Sequence, residues 1–362
     1  MISPNPFSLC CAILLCFPLA LVFTSINTTT TTNTVVRRSS PPPTLVLPRD
    51  DESLFRLASR VNSQPTPTKR IAFMFLTTTA LPFAPLWELF FRPNGSQFTA
   101  NSNNLFNIYI HADPNSTTHY NFNNTPVFTN RVIHSKSTQR RTPSLIAATR
   151  RLLAHALLHD SSNAMFALLS PSCIPLHSFN FTYTTLTASH KSFIEILKDE
   201  PGAIDRWEAR GVDIMLPQVP FRSFRVGSQF FVLTRRHAKL AVRDHRLWRK
   251  FKLPCVRRDV CYPEEHYFPT LMSMMDPRGC VPATLTHVDW SGRSDGHPRT
   301  YNADVIGPEF IVKLRRDRPR YGDDGLNVSD QQQDYPFLFA RKFAPDTLQP
   351  LMTIANDVIF SE

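Results

Sequence analysis

Unbroken apolar runs, each only strand-length, constrain this chain most. IAFMFLT at 71–77 carries no charge, and LFNIYIHAD (105–113) and MFALLS (165–170) repeat the pattern with polar or Pro stops at their ends. A strand with one wet face alternates polar and apolar residues, so a continuous run of this length implies burial on both faces. SFIEIL (192–197) and GSQFFVLT (227–234) read as further strands, and PVFTNRVIH (126–134) as another. Helical spacing recurs between them: Asp51 to Asn62, Pro85 to Phe91, Ser144 to His159 with Leu145, Ala148, Leu152 and Ala156 on one face, a basic helix ending near Lys250, and Asp346 to Phe360. Strands alternating with helices predict an α/β fold with a mainly parallel central sheet covered on both faces. Ligands of such sheets bind at the carboxyl ends of the strands, where His111-Ala112-Asp113 and Ser170-Pro171-Ser172-Cys173 fall.

The N-terminal part has another character. Residues 7–23 (FSLCCAILLCFPLALVF) are uncharged and about as short as a membrane-spanning helix can be. They fit either a cleaved signal peptide or a retained signal-anchor. No Lys or Arg precedes them, so flanking charge does not set an orientation. Both readings send the rest of the chain into the secretory pathway. Six N-x-S/T sequons, at Asn27, Asn94, Asn115, Asn123, Asn180 and Asn327, suit that route. Residues 24–69 begin with a Thr-, Ser- and Pro-rich run that reads as a stem, and the folded domain is expected over 70–362. Three of the seven cysteines sit in the apolar segment, leaving Cys173, Cys255, Cys261 and Cys280 for the lumen. Four cysteines allow three disulfide connectivities, and their spacing is not that of a zinc site.

A formal net charge of +11 implies an anionic partner: a nucleotide, an acidic glycan or a membrane surface. Zinc-finger spacing, an aromatic RNA-binding motif and a compact Lys/Arg run are all missing from the sequence, which argues against nucleic acid.

The segment richest in chemistry is CVRRDVCYPEEHYFPT (255–270). Pro263 suits the first position of a helix. Glu264 and Glu265 then stand in its first turn, where the helix dipole favours the ionised form. Successive helical residues point about 100° apart, so one glutamate is expected to face a cleft while its neighbour caps the helix or faces solvent.

IYIHADP (108–114), ALLSPSCIPL (167–176), RVGSQFFVLTRRHA (225–238), CYPEEHYFPT (261–270), LTHVDWS (285–291), HPRTY (297–301) and LFARKF (338–343) occur in that order. Together they resemble the core-2/I-branching β-1,6-N-acetylglucosaminyltransferases, most closely their plant branch, over roughly residues 70 to 345. The resemblance implies a GT-A-like nucleotide-sugar-binding fold behind an N-terminal membrane anchor. It also implies a single-pass type II Golgi topology with a short cytosolic tail (1–6), and inverting transfer from a UDP-sugar to a glycan or glycoprotein without a metal cofactor. By motif, Glu265 matches the general base, and Arg299 and Lys342 the cations that hold the leaving diphosphate. Asp113 matches a nucleoside contact, and Trp290 and Glu264 fall on the acceptor side. The sequence contains no D-x-D, so a cation has to do there what a divalent metal does elsewhere. His266 reads as a structural hydrogen-bonding residue, with a second acid/base group as the alternative.

Two departures stand out. The plant branch usually carries a Trp-Gly pair and an Ala-Glu-Arg triplet where this chain has Arg140-Arg141 and Ala148-Thr149-Arg150. Such changes near a donor cleft leave a second expectation open, a catalytically inactive lumenal protein that binds glycans or a partner transferase. A third, a secreted basic binding protein, requires cleavage after the apolar segment.

Overall fold

The computed structural model describes residues 47–92, 105–116, 125–292, 297–322 and 335–361. The short tail, the apolar segment 7–23, most of the stem and the sequons at Asn27, Asn94, Asn123 and Asn327 lie outside these residues. Asn115 and Asn180 are exposed. Among the described residues no helix is long and apolar enough to cross a membrane.

Nine strands are described: β1 (Arg70–Thr77), β2 (Phe106–Ala112), β3 (Asn163–Leu169), β4 (Ile174–Pro175), β5 (Ser192–Phe193), β6 (Val232–Thr234), β7 (Cys280–Val281), β8 (Thr286–Val288) and β9 (Phe339–Arg341). The α-helices are α1 (Asp51–Ala58), α2 (Ala84–Phe91), α3 (Ser144–His159), α4 (Phe179–Ala188), α5 (Ala203–Trp207), α6 (Arg235–Arg243), α7 (Trp248–Phe251), α8 (Glu264–Met275), α9 (Pro308–Arg316) and α10 (Leu348–Ile354). The main sheet has the order β2-β1-β3-β6-β5-β7, and a small one the order β4-β9-β8. β1 runs parallel to both β2 and β3, whereas β6 is antiparallel to its neighbours β3 and β5.

The apolar run of β1 is buried on both faces. Ile71, Phe73 and Phe75 join one core while Ala72, Met74 and Leu76 join the other. The first core is aromatic: Trp87 of α2 lies against Phe75 at 5.4 Å and Phe90 at 5.2 Å, and its Nε1 donates to Cys173 O. The second fills the space between the sheet and α1, α3, α6 and α8. Among the described residues the buried members of both cores fall between 54 and 359, within the unit that starts at Leu47.

Several expected elements differ. The folded unit begins at Leu47 and not at residue 70, because α1 belongs to it: Leu54 is fully buried, and Arg151 of α3 donates to Arg49 O and to the Asp51 carboxylate. The strand expected at 126–134 is a 3-10 turn, Pro126–Phe128, followed by a single bridge from Val132 to Ile110. Pro126 lacks a donor, and Asn130 at φ 60° interrupts the extended backbone. SFIEIL contributes only Ser192–Phe193, and GSQFFVLT only Val232–Thr234. The C-terminal helix ends at Ile354 and passes into a π turn, Ala355–Ile359.

None of the three complete pairings of the four lumenal cysteines is formed: one bridge joins Cys255 to Cys261, and Cys173 and Cys280 are free and buried. The bridge closes a short loop immediately before α8. Closing such a loop restricts the unfolded chain, so Cys255→Ser with Cys261→Ser is expected to lower stability by about 2 kcal/mol. Urea denaturation of the double variant beside wild type checks this.

Candidate active site

Pro263 adopts helical angles (φ −58°, ψ −34°) at the start of α8, which puts Glu264 and Glu265 in its first turn. Gly227 packs beside them, its N–H donating to Glu265 O at 2.9 Å. A Cβ at Gly227 would come within 2.0 Å of Glu195 O, so the close approach of these backbones requires glycine there.

Around this helix start runs a two-lobed cleft. The first lobe, about 310 Å³, opens at the carboxyl ends of β1 and β3, with Thr77, Thr78, Ser170, Arg140, Glu264 and Lys342 in its wall. The second, about 470 Å³, is walled by Glu195, Arg206, Ser228, Arg320 and Phe337. Gln229, Phe230, Glu265, Trp290 and Arg341 line both. Glu265 stands at the junction, its side chain 32 % exposed, with Arg206 Nη1 at 3.6 Å.

The 100° between the glutamates therefore separates them differently from what the sequence suggests. Glu264 neither caps nor faces solvent: it is 5 % exposed, lines the first lobe only, and its Oε2 finds no partner among the described residues. The helix dipole does not keep these acids at ordinary values either. Burial pushes Glu264 up to about 7, with Glu265 adding to the shift and Arg140 and Arg210 opposing it. Burial also raises Glu265, against the pull of Arg206, Arg341 and Arg140. Glu195 is pushed to about 7 in the same way.

The Glu264 shift has a sign that can be tested. Between its ordinary 4.5 and about 7 the folded chain holds a proton that the unfolded chain has lost. Its contribution to stability is then fully present at acid pH and is lost as pH rises through 7. Glu264→Gln, which cannot ionise, is expected to be more stable than wild type at pH 8 by on the order of 3 kcal/mol, and nearly equal to it only below the ordinary 4.5. Thermal melts at pH 8 and on the acid side of 4.5 check this.

Lys342 lies in the first lobe, as its motif implies. Trp290 is 52 % exposed on the shared wall, so it is not a core tryptophan. Arg299 is elsewhere. It lines a separate cavity of about 320 Å³, with its Nη1 3.9 Å from Asp289 and its guanidinium 5.9 Å from the Tyr301 ring centroid. Its neighbours His297 and Pro298 do reach the first lobe. Asp113 also differs from expectation. Its carboxylate accepts from Thr138 N (2.7 Å), Thr138 Oγ1 (2.6 Å) and Asn115 N (2.8 Å), so it ties down the Thr138 loop and does not itself line the cleft. His266 is not a hydrogen-bonding residue through Nε2, which has no partner among the described residues; the ring packs 5.0 Å from Phe224. Burial holds it neutral, well below the usual histidine range.

The departures at 140–150 divide into two groups. Thr149 and Arg150 lie away from the cleft. Thr149 bonds back to Leu145 O, while Arg150 donates to the carbonyls of Ala241, Val242 and Asp244 and lies over the Phe55 and Trp248 rings. Arg140 lines the first lobe beside His297 Nδ1, at 3.1 Å. Arg141 has φ 62°, the left-handed backbone that suits the glycine expected there. That conformation costs about 1 kcal/mol, and a 5.6 Å cation–π contact with Tyr262 opposes the cost.

Sequence reasoning missed Arg341, Glu195 and Arg206. Arg341 stacks 4.5 Å over Phe230 and faces Glu265. Its signal was the Arg-Lys pair held between phenylalanines in LFARKF. The signal for Glu195 was a lone carboxylate inside the apolar SFIEIL. Nothing local marks Arg206, which α5 carries to the cleft.

A family model described as the Core-2/I-Branching enzyme matches residues 71–315, more than half of the chain. The chain belongs to the core-2/I-branching enzyme family. Glycosyltransferase BC10 of Oryza sativa subsp. japonica is 29 % identical to it over 320 residues, covering 79 % of this chain and 77 % of that protein. The protein is thus a glycosyltransferase, acting between a nucleotide-sugar donor and a glycan acceptor. The matched span contains Glu264, Glu265, Trp290 and Arg299, while Arg341 and Lys342 come from beyond it on β9 and the residue after.

Proposed function

We propose that this glycosyltransferase inverts configuration without a metal, moving a sugar, N-acetylglucosamine by family likeness, from a UDP-sugar to a glycan or glycoprotein hydroxyl. The observation that carries the reading is the position of Glu265, the one acid among the described residues that lines both lobes. The first lobe holds the donor, since it opens at the carboxyl ends of the parallel strands. The acceptor enters the second lobe past Trp290, whose exposed face can stack on a pyranose ring. Glu265 takes the proton of the acceptor hydroxyl as its oxygen attacks the anomeric carbon. The bond to the diphosphate breaks on the opposite face, and Lys342 and Arg341 receive the growing negative charge. Arg299 joins them only by leaving Asp289 and the Tyr301 ring, two long contacts that hold a half-exposed side chain weakly. Glu264, neutral at mild acid pH, can donate a hydrogen bond to a sugar oxygen.

The Cys255–Cys261 bridge, the exposed sequons at Asn115 and Asn180 and the apolar run at 7–23 together support a single-pass type II Golgi protein with its catalytic unit in the lumen. Of the departures behind the inactive alternative, Arg140 lines the first lobe, where a cation suits a diphosphate, while Thr149 and Arg150 lie outside the cleft.

The test is nucleoside diphosphate release from a panel of UDP-sugars with EDTA present, for wild type and Glu265→Gln. EDTA-resistant release from one donor, lost in the variant, is the expected result. Turnover that needs a divalent metal, or that survives in Glu265→Gln, would overturn the mechanism.

A further inference from the structure

The first lobe carries positive charge that its own carboxylates do not answer. Arg140, Arg341 and Lys342 line it, and none of them forms an ion pair among the described residues. Arg341 also keeps its Nε buried with no hydrogen-bond partner there. The other arginines around the cleft are answered: Arg206 by Glu265 at 3.6 Å, Arg320 by Glu200 at 2.7 Å and Arg299 by Asp289 at 3.9 Å. A cluster of unpaired cations beside a cavity marks a place for an anion.

Arg140 is the member that the family motifs do not provide. Its backbone is fixed on both sides. Before it, Thr138 donates to the Asp113 carboxylate from N (2.7 Å) and Oγ1 (2.6 Å), and Gln139 N donates to Ser144 Oγ (2.8 Å). After it, Arg141 lies over the Tyr262 ring at 5.6 Å and donates from Nη2 to the Tyr262 hydroxyl at 3.3 Å. The Arg140 side chain itself is exposed, and its one hydrogen bond among the described residues runs from Nη2 to His297 Nδ1 at 3.1 Å. Most of the N–H groups of its guanidinium are therefore left for another acceptor. Its charge already reaches Glu264 and Glu265, opposing the rise that burial gives both. Arg299 stands differently. Its N–H donates to Asp289 O at 2.8 Å, and its side chain stays with Asp289 and Tyr301 in the separate cavity.

We propose that Arg140 fills in this chain the leaving-group role that the motif gives to Arg299, binding the donor's diphosphate together with Arg341 and Lys342. The inference rests on the reading of the first lobe as the donor site. A hydrogen bond from a guanidinium to an anionic oxygen is roughly twice as strong as one between neutral groups, so phosphate oxygens displace His297 Nδ1 as its acceptor. When the bond from the anomeric carbon to the diphosphate oxygen breaks, its electron pair stays on that oxygen. Arg140, held by a preset loop, faces the charge that grows there. The change at position 140 thus supplies a charge to the lobe.

The experiment measures binding of UDP and of uridine by calorimetry, and kcat for transfer, on the full-length protein and its variants. Arg140→Ala is expected to weaken UDP binding at least about tenfold and to leave uridine binding unchanged, because the nucleoside does not meet the guanidinium. Its kcat should fall about 10²-fold, and Arg140→Lys should recover part of both losses. Arg299→Ala is expected to cost at least about tenfold less than Arg140→Ala in each measurement. Arg140 is exposed and belongs to neither core, so an unaltered thermal melt is expected for its variants. UDP binding that is unchanged in Arg140→Ala would overturn the proposal, as would an equal loss of uridine binding, which would report a collapsed loop. Equal losses in Arg299→Ala and Arg140→Ala would overturn the exchange of roles. A loss seen with UDP-glucuronate but not with UDP would place the contact on a sugar carboxylate and overturn it too. Wild type that binds no UDP would bring down the donor reading of the lobe as well, whereas UDP binding indifferent to Arg140 would bring down this assignment alone.

Discussion

Glu265→Gln is expected to lower kcat for glycosyl transfer by about 10²–10⁴-fold, the usual worth of a positioned general base. The amide keeps the shape of the carboxylate and most of its contacts, so the KM values for donor and acceptor should move little. A second readout separates loss of a base from loss of geometry. Burial lifts the Glu265 carboxyl above its ordinary 4.5, against Arg206, Arg341 and Arg140. The base must be ionised to act, so wild-type kcat rises with pH through that raised pKa and falls as the medium becomes acid. The residual activity of Glu265→Gln should lack this limb. Initial rates across pH, with transfer measured as glycosylated product, check both statements. A variant with wild-type kcat would transfer the base role to another group.

Lys342→Ala is expected to cost about 10²–10³-fold in kcat, the scale of removing one charged group aimed at a developing anion. Lys342→Arg should recover part of the loss, because charge matters more than shape at a diphosphate that is leaving. The loss should grow with the pKa of the leaving group, so a donor with a better leaving group should narrow the gap between variant and wild type. Arg299→Ala, measured in parallel, reads out a movement. A loss comparable to that of Lys342→Ala would mean that the guanidinium leaves Asp289 when donor binds. A loss under about threefold would mean that it stays with Asp289 and Tyr301 throughout.

Much of the architecture was legible in the residues. The apolar runs of β1, β2 and β3 announce strands buried on both sides, and the alternation of β1 between two cores is the outcome. The start of α8 was equally plain, since proline followed by two acids is a local signal read over three residues. Elements that failed did so for non-local reasons. GSQFFVLT has strand composition along its whole length, yet at its start the Gly227 N–H donates to Glu265 O of α8, not to a neighbouring strand. The stem boundary was misplaced because two buried arginines of α3 hold α1 to the unit, a contact across about a hundred residues of sequence.

The site divides along the same line. Through its resemblance to a family the sequence implied that the Pro-Glu-Glu helix start, Trp290 and Lys342 serve one chemistry, since each sits in a short motif that can be matched residue by residue. Only the tertiary structure decided which glutamate stands between the two lobes, that burial outweighs the helix dipole at both, that Arg341 faces the base, and that Arg299 rests on Asp289. The physical reason is that desolvation and charge pairing depend on what surrounds a group in space. Those surroundings come from β1, β3, β9, α5 and α8 together, segments separated by up to about two hundred and seventy residues of chain.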